Sequence, residues 1–114
     1  MRESIRDIDR LKHIINAIEN IKSFIAEKTE VEFYNNPILF HAVVNNLSII
    51  GEASYKLTQE FIDQHPETPW KHMINMRHFL VHGYYQVSKK IVWDTISNDL
   101  DPLKLQIISY ISEP

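Results

Sequence analysis

An apolar stripe near the start of the chain constrains the fold more than any other feature of the sequence. Apolar side chains recur there at spacings of three and four residues: Ile5, Ile8, Leu11, Ile14, Ile15, Ile18, Ile21 and Ile25. This spacing lines up one face of a helix, which we expect to run over residues 4–28. A single helix cannot cover its own apolar face, so the stripe requires partner elements.

Further helices are predicted along the rest of the chain, because similar stripes follow asparagine-proline, threonine-proline and aspartate-proline start signals. We expect a connection over 29–37, a second helix from Pro37 to Gln64 and a third from Pro69 to His82. A fourth helix should hold residues 91–96, and Asp101-Pro102 should start the last one. No segment shows sustained strand alternation. The sequence therefore predicts an all-α, antiparallel four- to five-helix bundle in one domain, residues 1–114.

Composition narrows the class of protein. The chain is 44% hydrophobic and 24% charged, which is typical of a globular domain. It contains no cysteine, which excludes disulfides and thiolate metal sites. No signal-like start and no long apolar run is present, so we expect a cytoplasmic protein without a membrane partner. A small domain leaves apolar surface near water, and association could cover it.

The charge of the chain is unevenly distributed. A net charge of -3 is the wrong sign for a protein that coats nucleic acid. However, no Asp or Glu occurs from Thr68 to Trp93. The basic residues of that window are Lys71, His72, Arg77, His78, His82, Lys89 and Lys90. A local basic face could contact a short stretch of phosphates, although chance or a solvated face would give the same pattern.

Arg77 and His82 have the chemistry that RNA cleavage requires. Arginine offers a fork of donors to phosphate oxygens, and histidine can move a proton near neutral pH. Five residues of regular helix separate the pair by about 140°. The two side chains can still converge at a frayed helix end before Gly83, or a second subunit can complete the site and supply a second histidine. The alternative is that His82 only caps the helix C-terminus.

His78 admits two interpretations. It lies four residues before His82 and shares its face, which is also a zinc-ligand spacing. A zinc site would need a third ligand, with Glu52 or His72 as candidates, and no glutamate follows His78 as in the metalloprotease pattern. We therefore expect no metal and no other cofactor. His78 would instead line the same pocket and hold a phosphate or a base.

Several residues outside the Arg/His pair are also candidates. Gly51 interrupts the second helix, which predicts a close approach by another helix or by a ligand. Asn45 and Glu52 lie seven residues apart on one face, either as solvent-facing side chains or as polar parts of the site. Tyr84 follows the glycine that ends the third helix; it could stack on a base, carry a modification or anchor the loop.

The octet RHFLVHGY fits the R-x4-H-x-Y motif of the HepT-like branch of the HEPN superfamily, which are small helical endoribonuclease toxins. Three other segments resemble the family in the same order: RLKHIINAIENI, NNLSIIGEASYKL and VWDTISNDL, and the motif helix itself extends back to PETPWKHM. The resemblance covers nearly the whole chain.

The resemblance implies a homodimer with two Arg/His pairs at a cleft between protomers. It implies that Arg77 and His82 cut RNA without a metal. It also implies a partner, an MntA-like nucleotidyltransferase antitoxin of a type VII-like toxin-antitoxin pair, that blocks the toxin by adding AMP to Tyr84.

The remaining motif positions carry less definite roles. His78 holds a polar position that follows the arginine in many relatives. Asn46 and Glu52 match polar positions of the second-helix motif. One departure is Asn45, where an arginine is often expected before the asparagine, so this chain would lack one basic RNA contact.

Three functions compete at this point. The first, which we expect, is a metal-independent endoribonuclease toxin. The second is a non-catalytic subunit that presents a nucleotide or substrate to a nucleotidyltransferase, and tight ATP binding without RNA cleavage would distinguish it. The third is a structural dimerisation module, for which Arg77→Ala would change neither RNA nor nucleotide binding.

Overall fold

Helices account for all the regular secondary structure in the part of the chain that the computed structural model describes, residues 2–82 and 88–113. Their bounds in chain order are α1 (Arg2–Ile25), α2 (Glu30–Tyr34), α3 (Pro37–Tyr55), α4 (Gln59–Gln64), α5 (Trp70–His82), α6 (Lys89–Asn98) and α7 (Leu100–Ile111). The all-α prediction is confirmed.

Helix α3 is the central element of the bundle, with α1 on one side and α5 on the other. The contacts of α1 with the α3–α4 region run antiparallel, because Asn20 pairs with Asn46 whereas Asp7 pairs with Thr58. Helix α7 packs on α1 and α6 packs on α7. The long helices therefore form the expected bundle, with an extent of 46 × 29 × 21 Å.

The apolar stripe of α1 lies in the core of the fold, and fewer of its residues are buried than the sequence predicted. Leu11, Ile14, Ile18 and Ile21 are completely buried, whereas Ile8 is 40% exposed. Helix α1 also ends at Ile25, three residues before the predicted end.

The second predicted helix is broken in two, which corrects the expectation of one helix from Pro37 to Gln64. Helix α3 ends at Tyr55, and Thr58 starts α4 as an N-cap that accepts a hydrogen bond from the Phe61 amide. Both the amide and the hydroxyl of Thr58 donate to the carboxylate of Asp7, at 2.8 and 2.7 Å. Asp7 is buried, so these bonds hold the chain at the break.

Two connections also differ from the prediction. The segment expected to be irregular contains α2, which a capping box between Thr29 and Glu32 initiates and which buries Phe33 completely. The last helix begins at Leu100 instead of after Asp101-Pro102, because Asp99 ends α6 and starts α7. None of the helices within the described ranges has the length and apolarity needed to cross a membrane.

Candidate active site

Arg77 lies at the contact between α5 and α3, where Gly51 allows the two helices to approach. A Cβ added at Gly51 would lie 2.2 Å from the Cβ of Arg77 and 2.7 Å from the carbonyl oxygen of Met73. Any side chain at this position would push the helices apart. The close approach predicted from Gly51 is thus confirmed, and it fixes where the Arg77 side chain begins.

The Arg77 guanidinium forms an ion pair with Glu52, the residue after Gly51. Its Nε lies 2.6 Å from Glu52 Oε2, and the two side chains are only 33% and 38% exposed. The other oxygen of the carboxylate lies 3.3 Å from the Nζ of Lys56, one turn further along α3. The sequence window around Arg77 contains no acid, but the fold brings Glu52 into it from 25 residues away.

His78 and His82 form a pair on the last turn of α5. Their ring centroids are 4.6 Å apart, and both residues are exposed. His82 is the final helical residue of α5, so the pair stands at the end of the helix. The Arg77 side chain turns to Glu52, and five residues of regular helix place His82 about 140° away around α5.

Lys71 continues the exposed face on which the two histidines lie. Lys71, Asn75, His78 and His82 follow one another at spacings of four, three and four residues, and all four are exposed. At about 1.5 Å per residue, this face extends over roughly 16 Å. It carries two titratable rings and one cation, and its own helix contributes no acid.

Lys89 and Lys90, in the first turn of α6, already have partners in the folded chain. The Nζ of Lys89 donates to the carbonyl oxygen of Tyr34 at 3.0 Å and lies 5.9 Å from the ring centroid of Phe40. The Nζ of Lys90 lies 3.4 Å from a carboxylate oxygen of Asp94. Contact with RNA would therefore compete with these interactions.

Asn46 faces α1. It is 5% exposed. Its Oδ1 accepts a hydrogen bond from Asn20 at 3.1 Å, and its own amide donates to the carbonyl of Ala42 at 2.9 Å. Asn45, beside it, is exposed. The predicted modification site, Tyr84, lies outside the described residues.

The Glu52–Arg77 pair is the feature that sequence reasoning missed. The sequence pattern presents Glu52 only as a partner of Asn45 on its own helix, as a possible zinc ligand or as a polar position of the motif. The signal that could have found the pair is Gly51, because a helical glycine predicts a close neighbour at the adjacent position as well. Among the described residues, no group of three or more His, Asp or Glu side chains is arranged to hold a metal ion.

Comparison with known proteins assigns the chain to a family. The family model described as "Ribonuclease HepT-like" matches residues 14–110. The chain therefore belongs to the HepT-like ribonuclease family.

Individual relatives agree with this assignment. A Thermococcus cleftensis protein named "Probable ribonuclease HepT" is 38% identical over 84% of this chain and 87% of its own length. A Caldanaerobacter subterraneus protein named "Putative RNase" is 35% identical over 85% of this chain and 87% of its own. A Methanocaldococcus jannaschii protein named "Gamma-glutamylcyclotransferase and putative RNase" is 34% identical over 90% of this chain, which spans only 46% of that relative. No solved structure gives a significant match.

Proposed function

We propose that this chain is a metal-independent endoribonuclease toxin whose active site is completed in the cleft of a homodimer. The observation that carries the proposal is the position of His82, exposed at the end of α5 and five residues from a half-buried, ion-paired Arg77. Within one chain the two side chains point to different faces. A second copy that contributes its own pair would bring together two arginines and two histidines.

Such a site supplies every group that RNA cleavage needs. One His82 takes the proton of the 2′-hydroxyl, whose oxygen then attacks the neighbouring phosphorus. Arg77 stabilises the negative charge that develops on the phosphoryl oxygens. The His82 of the second copy gives a proton to the departing 5′-oxygen. The products are a 2′,3′-cyclic phosphate and a free 5′-hydroxyl, and these protein groups account for each proton.

The substrate would lie along the exposed face of α5. Lys71 and His78 are suited to phosphates on either side of the cut, and Lys89 and Lys90 would extend the basic surface at the start of α6. Asn46 and Glu52 act as supporting polar residues, the first in the packing of α3 against α1 and the second at Arg77.

Control of the toxin would act through Tyr84. A MntA-like nucleotidyltransferase would join the tyrosine oxygen to the α-phosphorus of ATP, with pyrophosphate as the leaving group. The attached AMP would put a negative charge and a bulky base two residues from His82, where it competes for Arg77. The intact mass of the chain after co-expression with such an enzyme tests this step, since a Tyr84→Phe variant should gain no AMP.

Incubation of the purified protein with RNA in EDTA tests the main proposal. We expect cleavage by the wild type and a rate at least about 100-fold lower for His82→Ala. His13→Ala, which replaces an exposed histidine on α1, serves as the control and should cleave normally. Equal cleavage by His82→Ala and the wild type would contradict the proposal. Stoichiometric ATP binding without any cleavage would instead favour the nucleotide-presenting subunit.

A further inference from the structure

We propose that Glu52 is a positioning residue that holds the Arg77 guanidinium by one edge, so that the opposite edge faces the RNA phosphate. The inference rests on the ribonuclease function proposed above. It assigns a role to the Glu52 carboxylate, which would otherwise only compete with the RNA phosphate for Arg77.

The geometry of the ion pair separates the two edges of the guanidinium. Glu52 Oε2 approaches the Nε of Arg77 at 2.6 Å, which is the side edge of the group. A guanidinium has five N–H donors in a fixed plane, and the end edge, formed by the two terminal nitrogens, is separate from the side edge. A carboxylate on the side edge therefore leaves the end edge able to bind a phosphate through two parallel hydrogen bonds.

The carboxylate itself is held in place by its surroundings. Lys56 Nζ lies 3.3 Å from Glu52 Oε1, so that cations flank the carboxylate on both sides. Gly51, directly before Glu52, fixes the Cβ of Arg77 against the backbone of α3. The base and the guanidinium of the Arg77 side chain are thus both anchored to one turn of α3. Because these contacts already restrict the rotamers of Arg77, less side-chain entropy is lost when RNA binds.

The charge balance also favours a positioning role. Arg77 and Glu52 are each about one third exposed, so their attraction is screened less than that of a surface pair. With Lys56 included, the cluster keeps a net charge of +1 when all three groups are ionised. It can therefore still attract a phosphate while Glu52 stays in contact.

Glu52→Gln tests the proposal, because glutamine keeps the shape of the side chain and removes its charge. We expect kcat for RNA cleavage to fall by about 10- to 100-fold, with a smaller change in KM, since a misdirected arginine weakens transition-state binding most. Glu19→Gln is the matched control. It replaces the glutamate of α1 that pairs with Lys104 of α7, and its kcat should stay within about two-fold of the wild type.

A second measurement does not depend on cleavage. The Arg77 Nε–H signal in nitrogen-resolved NMR, assigned with Arg77→Lys, should exchange slowly with water in the wild type and faster in Glu52→Gln. If Glu52→Gln leaves both this exchange and kcat at the values of Glu19→Gln, the proposal is overturned. It is also overturned if the kcat loss merely tracks a loss of folded protein, measured by circular dichroism at the assay temperature.

Failure of the proposed function would be recognised separately. If the wild type cleaves no RNA, the ribonuclease proposal fails while the positioning role is still testable with a 2′-O-methyl RNA that cannot be cut. Weaker binding of that RNA by Glu52→Gln than by Glu19→Gln supports the role of Glu52 in phosphate binding, and equal binding overturns it.

Discussion

Gly51 and Arg77 are packed so closely that a Cβ on the glycine would lie 2.2 Å from the Cβ of the arginine. A helix interior normally favours alanine over glycine by about 1 kcal/mol. Here the packing between α3 and α5 outweighs that preference, and it places a glycine beside the residue on which the proposed chemistry depends.

Gly51→Ala should therefore destabilise the protein and disturb its site. We expect a net loss of about 1–3 kcal/mol in the free energy of unfolding, because the added methyl group forces α5 away from α3. Urea denaturation measures this change. Ser48→Ala, one turn earlier on α3 at a half-buried position, is the control and should have a small effect. A gain of stability in Gly51→Ala would contradict the close packing of α3 against α5 at this position.

Lys71→Ala should weaken RNA binding in a salt-dependent manner. Lys71 lies on the exposed face of α5 with His78 and His82, so we expect it to neutralise one phosphate. The slope of the logarithm of the binding constant against the logarithm of salt concentration should fall by roughly 1, as for loss of one phosphate contact. The measurement uses a non-cleavable RNA, with Lys12→Ala on the exposed surface of α1 as the control. An unchanged slope would exclude Lys71 from the RNA path.

His65 should make the stability of the fold depend on pH. Its Nδ1 lies 2.8 Å from the Phe61 carbonyl oxygen and its Nε2 lies 2.8 Å from Glu113 Oε1. Both partners are acceptors, so the protonated ring, with a proton on each nitrogen, satisfies both of them. Burial lowers the pKa of His65, but the bonds to Phe61 and Glu113 and the nearby charge of Glu67 outweigh it and raise the pKa above its ordinary value of 6.5.

The sign of the effect follows from the raised pKa. The folded state binds the proton more tightly than the unfolded state, so the stabilisation is complete below the unfolded pKa and is lost as pH rises through the folded pKa. Glu113→Gln should lower the free energy of unfolding below pH 6.5, the ordinary histidine value, and the difference from the wild type should close at higher pH. Unfolding curves at several pH values measure it, and a pH-independent difference would contradict the charged pair.

Glu27→Gly should stabilise the end of α1. Among the non-glycine residues that the structure describes, Glu27 is the one with a positive φ, at 62°. Helices commonly end with glycine in this conformation because it lacks a Cβ. We expect a gain of about 0.5–1 kcal/mol in the free energy of unfolding. Lys28→Gly, at the next position, should lower stability instead, and the same sign for both variants would argue against backbone strain at Glu27.

The sequence was most informative where a signal lies within one helix. The isoleucine stripe predicted α1, and Gly51 predicted a close contact. The break after Tyr55 could not be predicted in this way, because Thr58 is held by Asp7, 51 residues earlier in the chain. The hydrophobic spacing continues through that break and therefore concealed it.

The same distinction, between signals within one helix and contacts between helices, applies to the candidate site. The motif in α5 identified Arg77, His78 and His82 as neighbours in sequence, and the structure describes them on one helix. The ion pair between Arg77 and Glu52 joins two helices. No periodic pattern in the sequence indicates it, so only the structure shows it. The cleavage assay in EDTA tests the metal-independent cut, and the intact mass of the chain tests the AMP addition at Tyr84.

The buried amide of Asn46 has a consequence for the uniqueness of the fold. Its Oδ1 is satisfied by Asn20 across the contact between α1 and α3. If α1 slid by one turn so that Phe24 took the place of Asn20, apolar side chains of the two helices would still meet, but this oxygen would lose its donor at the contact between α1 and α3, at a cost of about 1–3 kcal/mol. The hydrogen bond between Asn20 and Asn46 therefore helps to fix the register of α1 against α3, whose contact is otherwise apolar and repetitive. It disfavours that shifted alignment of the two helices, which apolar packing alone would tolerate.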